Sequence, residues 1–126
     1  MKNAKGWSSQ RLEGLAKEIY NWLVENEMWI DVAIYYDGKR MASWDKVNGE
    51  MLFRYNGEPF ITEADPRTYF SYVADPHILS MSFEGPLYLL LNHGFDELED
   101  EFEAIFKKHG LYFELGDPWN LTCAEA

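Results

Sequence analysis

The sequence predicts an α+β fold: an antiparallel β-sheet, built as a meander of hairpins, is packed by an N-terminal helix and a C-terminal acidic helix. Three observations support this. Apolar residues recur at helical spacing near both ends, they alternate with period two in between, and two-residue turn signals separate the alternating runs. With 126 residues, 47% of them hydrophobic, the chain predicts one domain, 1–126, with a core that needs no disulfide or metal.

The first predicted element is a helix over residues 9–26. Ser8 or Ser9 is expected to cap its N-terminus, because a serine hydroxyl can accept a hydrogen bond from a free amide of the first turn. Its apolar side chains recur every three or four residues and form one stripe: Leu12, Leu15, Ala16, Ile19, Trp22 and Leu23.

An antiparallel meander is predicted for the next part of the chain. Ile30, Val32 and Ile34 occupy alternate positions, which predicts a strand with one buried face. Turn signals then recur, because Asn-Gly and Asp-Gly tolerate the positive φ angles of tight hairpin turns. The turns are Asp37-Gly38, Asn48-Gly49 and Asn56-Gly57, and the strands that they connect to the first one are 39–44, 51–55 and 59–62.

The remaining residues predict further helices and strands. Asp65 is expected to cap a short helix that begins at Pro66, with Tyr69, Phe70 and Val73 on its apolar face. The elements after it are a strand over 78–83, a short apolar helix over 87–92, a helix over 96–108, and strands over 111–115 and 119–123.

The helix over 96–108 carries the sharpest functional signal, six carboxylates within eight residues: Asp96, Glu97, Glu99, Asp100, Glu101 and Glu103. Asp96 is also expected to cap this helix, with Glu99 completing a capping box. Helical spacing places Glu97, Asp100 and Glu101 on one face and the other three on the neighbouring face. Either this is a solvated face favoured by the helix dipole, or it is a binding surface that resembles a row of phosphates.

The charge of the chain is unevenly distributed, and this limits the kinds of molecule that the chain is expected to bind. The net charge is −11; residues 1–62 contribute −1 and residues 63–126 contribute −10. Direct nucleic-acid binding is disfavoured, because it needs clustered Lys and Arg. Anionic membranes would repel the chain for the same reason. A basic protein partner is what such a surface favours.

The sequence predicts no catalytic residue, no metal and no cofactor. His77, His93 and His109 do not pair at metal-ligand spacing, and the common nucleotide-binding and serine-hydrolase motifs do not occur. Cys123 is the only cysteine, and we expect it to fill apolar space in a reducing, cytoplasmic environment. A carboxylate-based enzyme stays open as an alternative, and it would need a pocket that holds Glu84 or another acid beside a histidine.

Three segments of the chain carry a resemblance. They are Trp29-Ile30-Asp31-Val32 through Tyr36-Asp37-Gly38-Lys39-Arg40, Phe83-Glu84-Gly85-Pro86-Leu87-Tyr88, and Gly110-Leu111-Tyr112-Phe113-Glu114-Leu115-Gly116 with Trp119-Asn120-Leu121. Together they resemble small uncharacterised proteins found on plasmids and conjugative elements of Gram-positive gut bacteria. The resemblance covers most of the chain and assigns no residue a role. It implies a setting in which small acidic proteins often inhibit host restriction or CRISPR nucleases, some of them by mimicking nucleic acid.

The functional prediction is a non-enzymatic acidic protein that binds a basic partner, with the nucleic-acid channel of a defence nuclease as the expected target. The six carboxylates of residues 96–103 are the predicted binding residues. The alternative is a structural or regulatory interaction module that acts as a homodimer through apolar surface, which a surplus of exposed aromatic rings would indicate.

Overall fold

The computed structural model describes the backbone of residues 2–94 and 96–126, and the side chains of all of these except Asp96. It confirms the α+β class and a sheet with helices from both halves of the chain. The helices are α1 (Ser9–Glu25), α2 (Pro86–His93) and α3 (Asp96–Lys108), with a single 3-10 turn at Pro66–Thr68. The strands are β1 (Val32–Tyr36), β2 (Lys39–Ala42), β3 (Trp44–Val47), β4 (Glu50–Phe53), β5 (Phe60–Glu63), β6 (Ser80–Phe83), β7 (Leu111–Leu115) and β8 (Asn120–Glu125).

Six of these strands form one antiparallel sheet in the order β5-β2-β1-β6-β8-β7, while β3 and β4 pair only with each other. The β1–β2 turn has the geometry that the sequence predicts, because Asp37 and Gly38 both have positive φ, 50° and 69°. The same holds for the β3–β4 turn, where Asn48 has a φ of 51° and Gly49 one of 82°.

The helix α1 forms as its sequence predicts. The Ser8 Oγ accepts a hydrogen bond from the Arg11 amide at 3.1 Å, which identifies Ser8 as the N-cap. Of the predicted stripe, Trp22 is only partly buried. The other five members are completely buried: Leu12, Leu15, Ala16, Ile19 and Leu23.

The meander is interrupted, which corrects the predicted pairing of successive strands. The Ser43 amide donates to the Val32 carbonyl, and the Ser43 carbonyl accepts from the Arg54 amide. The hairpin β3–β4 therefore leaves the main sheet at Ser43 and returns at Arg54. β5 takes the vacant place beside β2, where Lys39 is in register with Glu63. The turn residues specify each hairpin locally. They do not specify which strand pairs with the free edge of β2.

One face of the sheet carries the main core. Both α1 and α3 pack on this face, and their apolar side chains form one continuous cluster with Ile34 of β1, Met81 of β6 and Leu111 of β7. Phe102 of α3 is completely buried, and its ring lies 5.5 Å, centroid to centroid, from the Phe113 ring. Dense burial of this kind is the main source of stability in a domain of this size.

The opposite face of the sheet is polar, and it is covered as well. A row of aligned residues crosses five neighbouring strands on this face: Thr62, Arg40, Tyr35, Ser80 and Thr122. All five residues of β1 are buried, so the prediction of one buried face for this strand was wrong. The cause is a second small cluster, in which Phe70 packs against Tyr35 at a ring distance of 5.1 Å.

The helix that follows Asp65 is shorter than the sequence predicts. The Asp65 carboxylate accepts from the Arg67 amide at 2.9 Å, which confirms the cap, but the helix is the single 3-10 turn. Phe70 is buried and Val73 partly so, whereas Tyr69 is 56% exposed. Among the helices described, none is both long and apolar enough to cross a membrane.

Candidate functional site

The acidic surface of α3 is built by the periodicity of that helix. Phe102, Ile105 and Phe106 are buried against α1 and β7, which turns the carboxylates outward. Glu97, Asp100 and Glu101 are exposed, as the predicted shared face requires. Here the acidic surface means five carboxylates, the three exposed ones and the half-buried Glu99 and Glu103.

The predicted binding residue Asp96 is not counted among these five. The helix α3 begins at Asp96, but the Asp96 side chain lies outside the described residues. Its predicted capping role therefore stays a prediction.

The charges of the acidic surface are uncompensated. Within the described ranges, 2–94 and 96–126, no Lys, Arg or His lies within ion-pair distance of its five carboxylates. One of the five, Glu101, accepts a hydrogen bond from the Trp22 indole N–H at 3.2 Å. Neighbouring like charges one helical turn apart repel one another by a few tenths of a kcal/mol per pair. A partner that brings positive charge would relieve that repulsion.

The other end of α3 is held against α1 by ion pairs. The Lys108 ammonium pairs with the Glu18 carboxylate, and the His109 Nε2 lies 2.9 Å from the Glu18 Oε1. Burial on its own would raise the pKa of Glu18, but the hydrogen bonds and charges of Lys108 and His109 outweigh it and lower that pKa. These ion pairs therefore hold the C-terminal end of α3 to α1, at the opposite end of the helix from the acidic surface.

The histidines are placed separately. His77 is buried, and its Nε2 lies 2.9 Å from the Ser80 Oγ. Burial lowers the pKa of His77 to about 4. His93 is exposed beside Tyr88, with 6.3 Å between the ring centroids, and His109 contacts Glu18. Among the described residues, no group of three or more His, Cys, Asp or Glu is arranged to hold a metal ion.

The structure also shows the surroundings of Glu84 and Cys123. Glu84 lines a cavity of about 270 Å³ together with Asp31 and several aromatic residues, and no histidine lines it. Cys123 is completely buried in the main core, where burial raises the pKa of its thiol to about 12. The thiol therefore stays protonated and packs as an apolar side chain.

A further cavity, of about 450 Å³, does place carboxylates near a histidine. Asp37, Glu63, Asp65 and His77 line it. Two of these carboxylates already have partners, since Asp37 accepts from the Asn3 amide at 2.8 Å and Asp65 binds Arg67. The His77 Nε2 is engaged with Ser80. Three of the four titratable side chains that line this cavity, Asp37, Asp65 and His77, therefore already have hydrogen-bond partners within the chain.

Two features of the structure were not predicted from the sequence. One is the exposure of the hairpin β3–β4, where Met51, Leu52 and Phe53 are 47%, 39% and 52% exposed. The other is the burial of Arg40, which is only 5% exposed. The alternation along β2 could show that Arg40 and Met41 face opposite sides. It could not show that distant segments cover the Arg40 side.

No protein-family model matches the chain, and comparison with curated proteins and with solved structures finds no significant match to either. The resemblance to proteins of mobile elements stays a prediction.

Proposed function

We propose that this protein is a non-enzymatic binding protein that docks the acidic surface of α3 onto a basic protein. One observation carries the proposal. Five carboxylates on the first turns of a well-packed helix have no cationic partner in the part of the chain that is described. Electrostatic complementarity of this kind speeds association and selects the partner.

The geometry of the acidic surface favours a partner that ordinarily holds nucleic acid. Glu97 and Glu101 are one helical turn apart, which at the rise of an α-helix is about 6 Å along the axis. A regular array of fixed negative charges is what a phosphate-binding groove is built to neutralise. A protein that occupies such a groove would inhibit its owner, and the resemblance described above makes a restriction or CRISPR nuclease the proposed target.

Self-association through the hairpin β3–β4 is the second candidate. All four residues of β4 are exposed. The hairpin and its flanks hold two basic residues, Lys46 and Arg54, and two acidic ones, Asp45 and Glu50. This surface is therefore neutral as well as apolar, so a second copy of the chain would meet it without the repulsion expected at the acidic surface.

A pull-down from a bacterial lysate separates the two candidates. The tagged protein is immobilised, lysate is applied at low and at high salt, and bound proteins are identified by mass spectrometry. We expect a basic, nucleic-acid-handling protein at low salt and its loss at high salt, because screening weakens contacts between exposed charges. Added duplex DNA should displace the same protein at low salt.

The opposite pattern would contradict the proposal. If the protein captured only its own copies, equally at both salt concentrations, the apolar hairpin would be the interaction surface. The acidic surface would then serve solubility, which is the usual role of a charged helix face.

A further inference from the structure

Two carboxylates lie opposite each other at one end of the β1–β6 pair. Val32 of β1 is in register with Phe83 of β6, and at the next position outward the Glu84 amide donates to the Asp31 carbonyl at 3.1 Å. The Asp31 and Glu84 side chains both line the cavity of about 270 Å³, so both charges border the same space. Like charges in opposed positions of neighbouring strands are unfavourable, because they repel each other.

No cation of the chain offsets these two charges. Neither Asp31 nor Glu84 forms an ion pair with a Lys, Arg or His among the residues that the structure describes. Arg40 stacks on Trp44, which also lines this cavity, but Arg40 already has the Asp45 carboxylate 3.8 Å away. A cation from outside the chain would therefore relieve the repulsion between Asp31 and Glu84.

The rest of the cavity lining is largely aromatic, and the cavity is reached from solvent. Trp44, Phe53 and Trp119 line it, and Phe53 and Trp119 are 52% and 47% exposed. The Phe53 ring lies 5.4 Å from the Tyr55 ring, centroid to centroid, and the Tyr55 hydroxyl donates to the Asp31 Oδ1 at 3.1 Å. These contacts hold the aromatic side chains of the hairpin β3–β4 beside the carboxylates. A ligand can thus contact rings and carboxylates together.

Both kinds of group attract cations. A carboxylate accepts charge-assisted hydrogen bonds, and the face of a Trp or Phe ring attracts a positive charge through its quadrupole. A guanidinium is planar, so its edge can donate to carboxylates while its faces lie against rings, whereas an ammonium is more strongly hydrated and has no flat face. The cavity is slightly smaller than the range of about 300–1,000 Å³ typical of drug-sized ligands, which suits a group the size of one side chain.

We propose that this cavity, the Glu84 cavity, binds a guanidinium group, with its N–H edge toward Asp31 and Glu84 and its faces against the aromatic rings. A free guanidine compound and an arginine side chain of another polypeptide present the same group. The Glu84 cavity shares no residue with the acidic surface of α3, so this site does not depend on the proposed function.

The test adds a blocked arginine, N-acetylarginine methylamide, to the intact protein and follows the tryptophan indole N–H resonances in a nitrogen-15 NMR spectrum. The resonances of Trp44 and Trp119 should shift and saturate. The Trp22 indole donates to Glu101 of the acidic surface, so its resonance reports binding at α3 and should stay in place. The matching citrulline compound has a similar shape without the charge, and it should shift neither Trp44 nor Trp119 at the same concentration.

Three results of this titration would overturn the proposal: no saturable shift at Trp44 and Trp119, a shift at Trp22 alone, or equal shifts with the citrulline compound. Methylguanidinium in a parallel titration distinguishes the two sources of the group. Saturation of the same resonances at equal affinity supports a free guanidine compound as the ligand. Tighter binding of the blocked arginine supports an arginine side chain of a polypeptide.

Neutral variants assign the binding to the two carboxylates. Glu84→Gln changes an exposed side chain, and Asp31→Asn keeps a residue type that tolerates the positive φ of 55° at this position. Each should weaken the binding of blocked arginine at least about threefold, and the double variant more than about tenfold. The matched change Glu58→Gln, at an exposed glutamate outside the cavity, should leave it unchanged. Unchanged affinity in Glu84→Gln, or tighter binding of blocked lysine than of blocked arginine, would contradict the proposal.

Discussion

At the scale of single residues, the buried polar groups of the sheet are joined in a network around His77. The His77 ring contacts Ser80, and the Ser80 hydroxyl donates to the Thr122 Oγ1 at 3.1 Å. The His77 carbonyl accepts from the Ala4 amide at 2.8 Å, which holds the N-terminal segment to the sheet. Because burial lowers the pKa of His77 to about 4, the ring is neutral near pH 7.

This network makes stability depend on pH in a definite direction. The folded pKa of His77, about 4, lies below the value of about 6.5 for an unfolded histidine. Between these values the unfolded chain binds more protons, so acidification favours unfolding. On acidification from pH ~7 to pH ~5, His77 should remove about 2 kcal/mol from the free energy of unfolding.

Urea unfolding of the wild type and of His77→Gln at both pH values measures this contribution. The variant should lose less stability than the wild type on acidification, by about the same 2 kcal/mol. The change His93→Gln, at an exposed histidine, serves as the control for losing an imidazole. Equal acid sensitivity of the wild type and His77→Gln would show that His77 is not the group responsible.

At the scale of elements, the junction between β6 and α2 depends on a close backbone approach. A Cβ atom added to Gly85 would lie 2.6 Å from the Ile30 carbonyl oxygen, a separation at which the backbone would have to shift. Gly14, within α1, has nothing within 4 Å of an added Cβ. Substitution of the two glycines by alanine is therefore expected to change the stability of the protein in opposite directions.

Gly85→Ala should destabilise the protein by about 1–3 kcal/mol, because it forces packed backbone apart. Gly14→Ala should stabilise it by up to about 1 kcal/mol, since alanine has the higher helix propensity. Chemical denaturation of both variants measures the difference. If both substitutions had the same sign, the close approach of Gly85 to Ile30 would be wrong.

The elements also show which parts of the fold could be predicted. Local signals sufficed for α1, for α3 and for the turn at Asp37-Gly38, because caps, apolar spacing and turn residues act within a few residues. The departure of β3–β4 could not be predicted, because it depends on hydrogen bonds between Ser43 and residues ten or more positions away. Likewise, the cover over β1 is supplied by Phe70, far along the chain.

At the scale of the whole molecule, the two faces of the sheet differ in chemistry, one being apolar and the other polar. The face under α1 and α3 carries the main core, and α3 presents its carboxylates outward from that layer. The outward direction of Glu97, Asp100 and Glu101 could be predicted from helical spacing alone. The burial of Arg40 could not, because Trp44 of the hairpin β3–β4 lies over the Arg40 side chain only in the folded molecule.

We propose that the acidic surface of α3, and not the net charge of −11, selects the partner. Two charge-reversal variants that change the net charge by the same amount separate these two causes. One variant carries Lys at positions 97, 100 and 101, and its control carries Lys in place of Glu25, Glu27 and Glu58, which are exposed and lie outside α3. Circular dichroism checks that both remain folded.

The measurement is the affinity of each variant for the basic protein recovered in the pull-down. The α3 variant should lose at least about 100-fold in affinity, because like charges placed against each other cost several kcal/mol. The control should stay within a few fold of the wild type. Equal losses in the two variants would mean that net charge alone drives binding, and full binding by the α3 variant would contradict the claim outright.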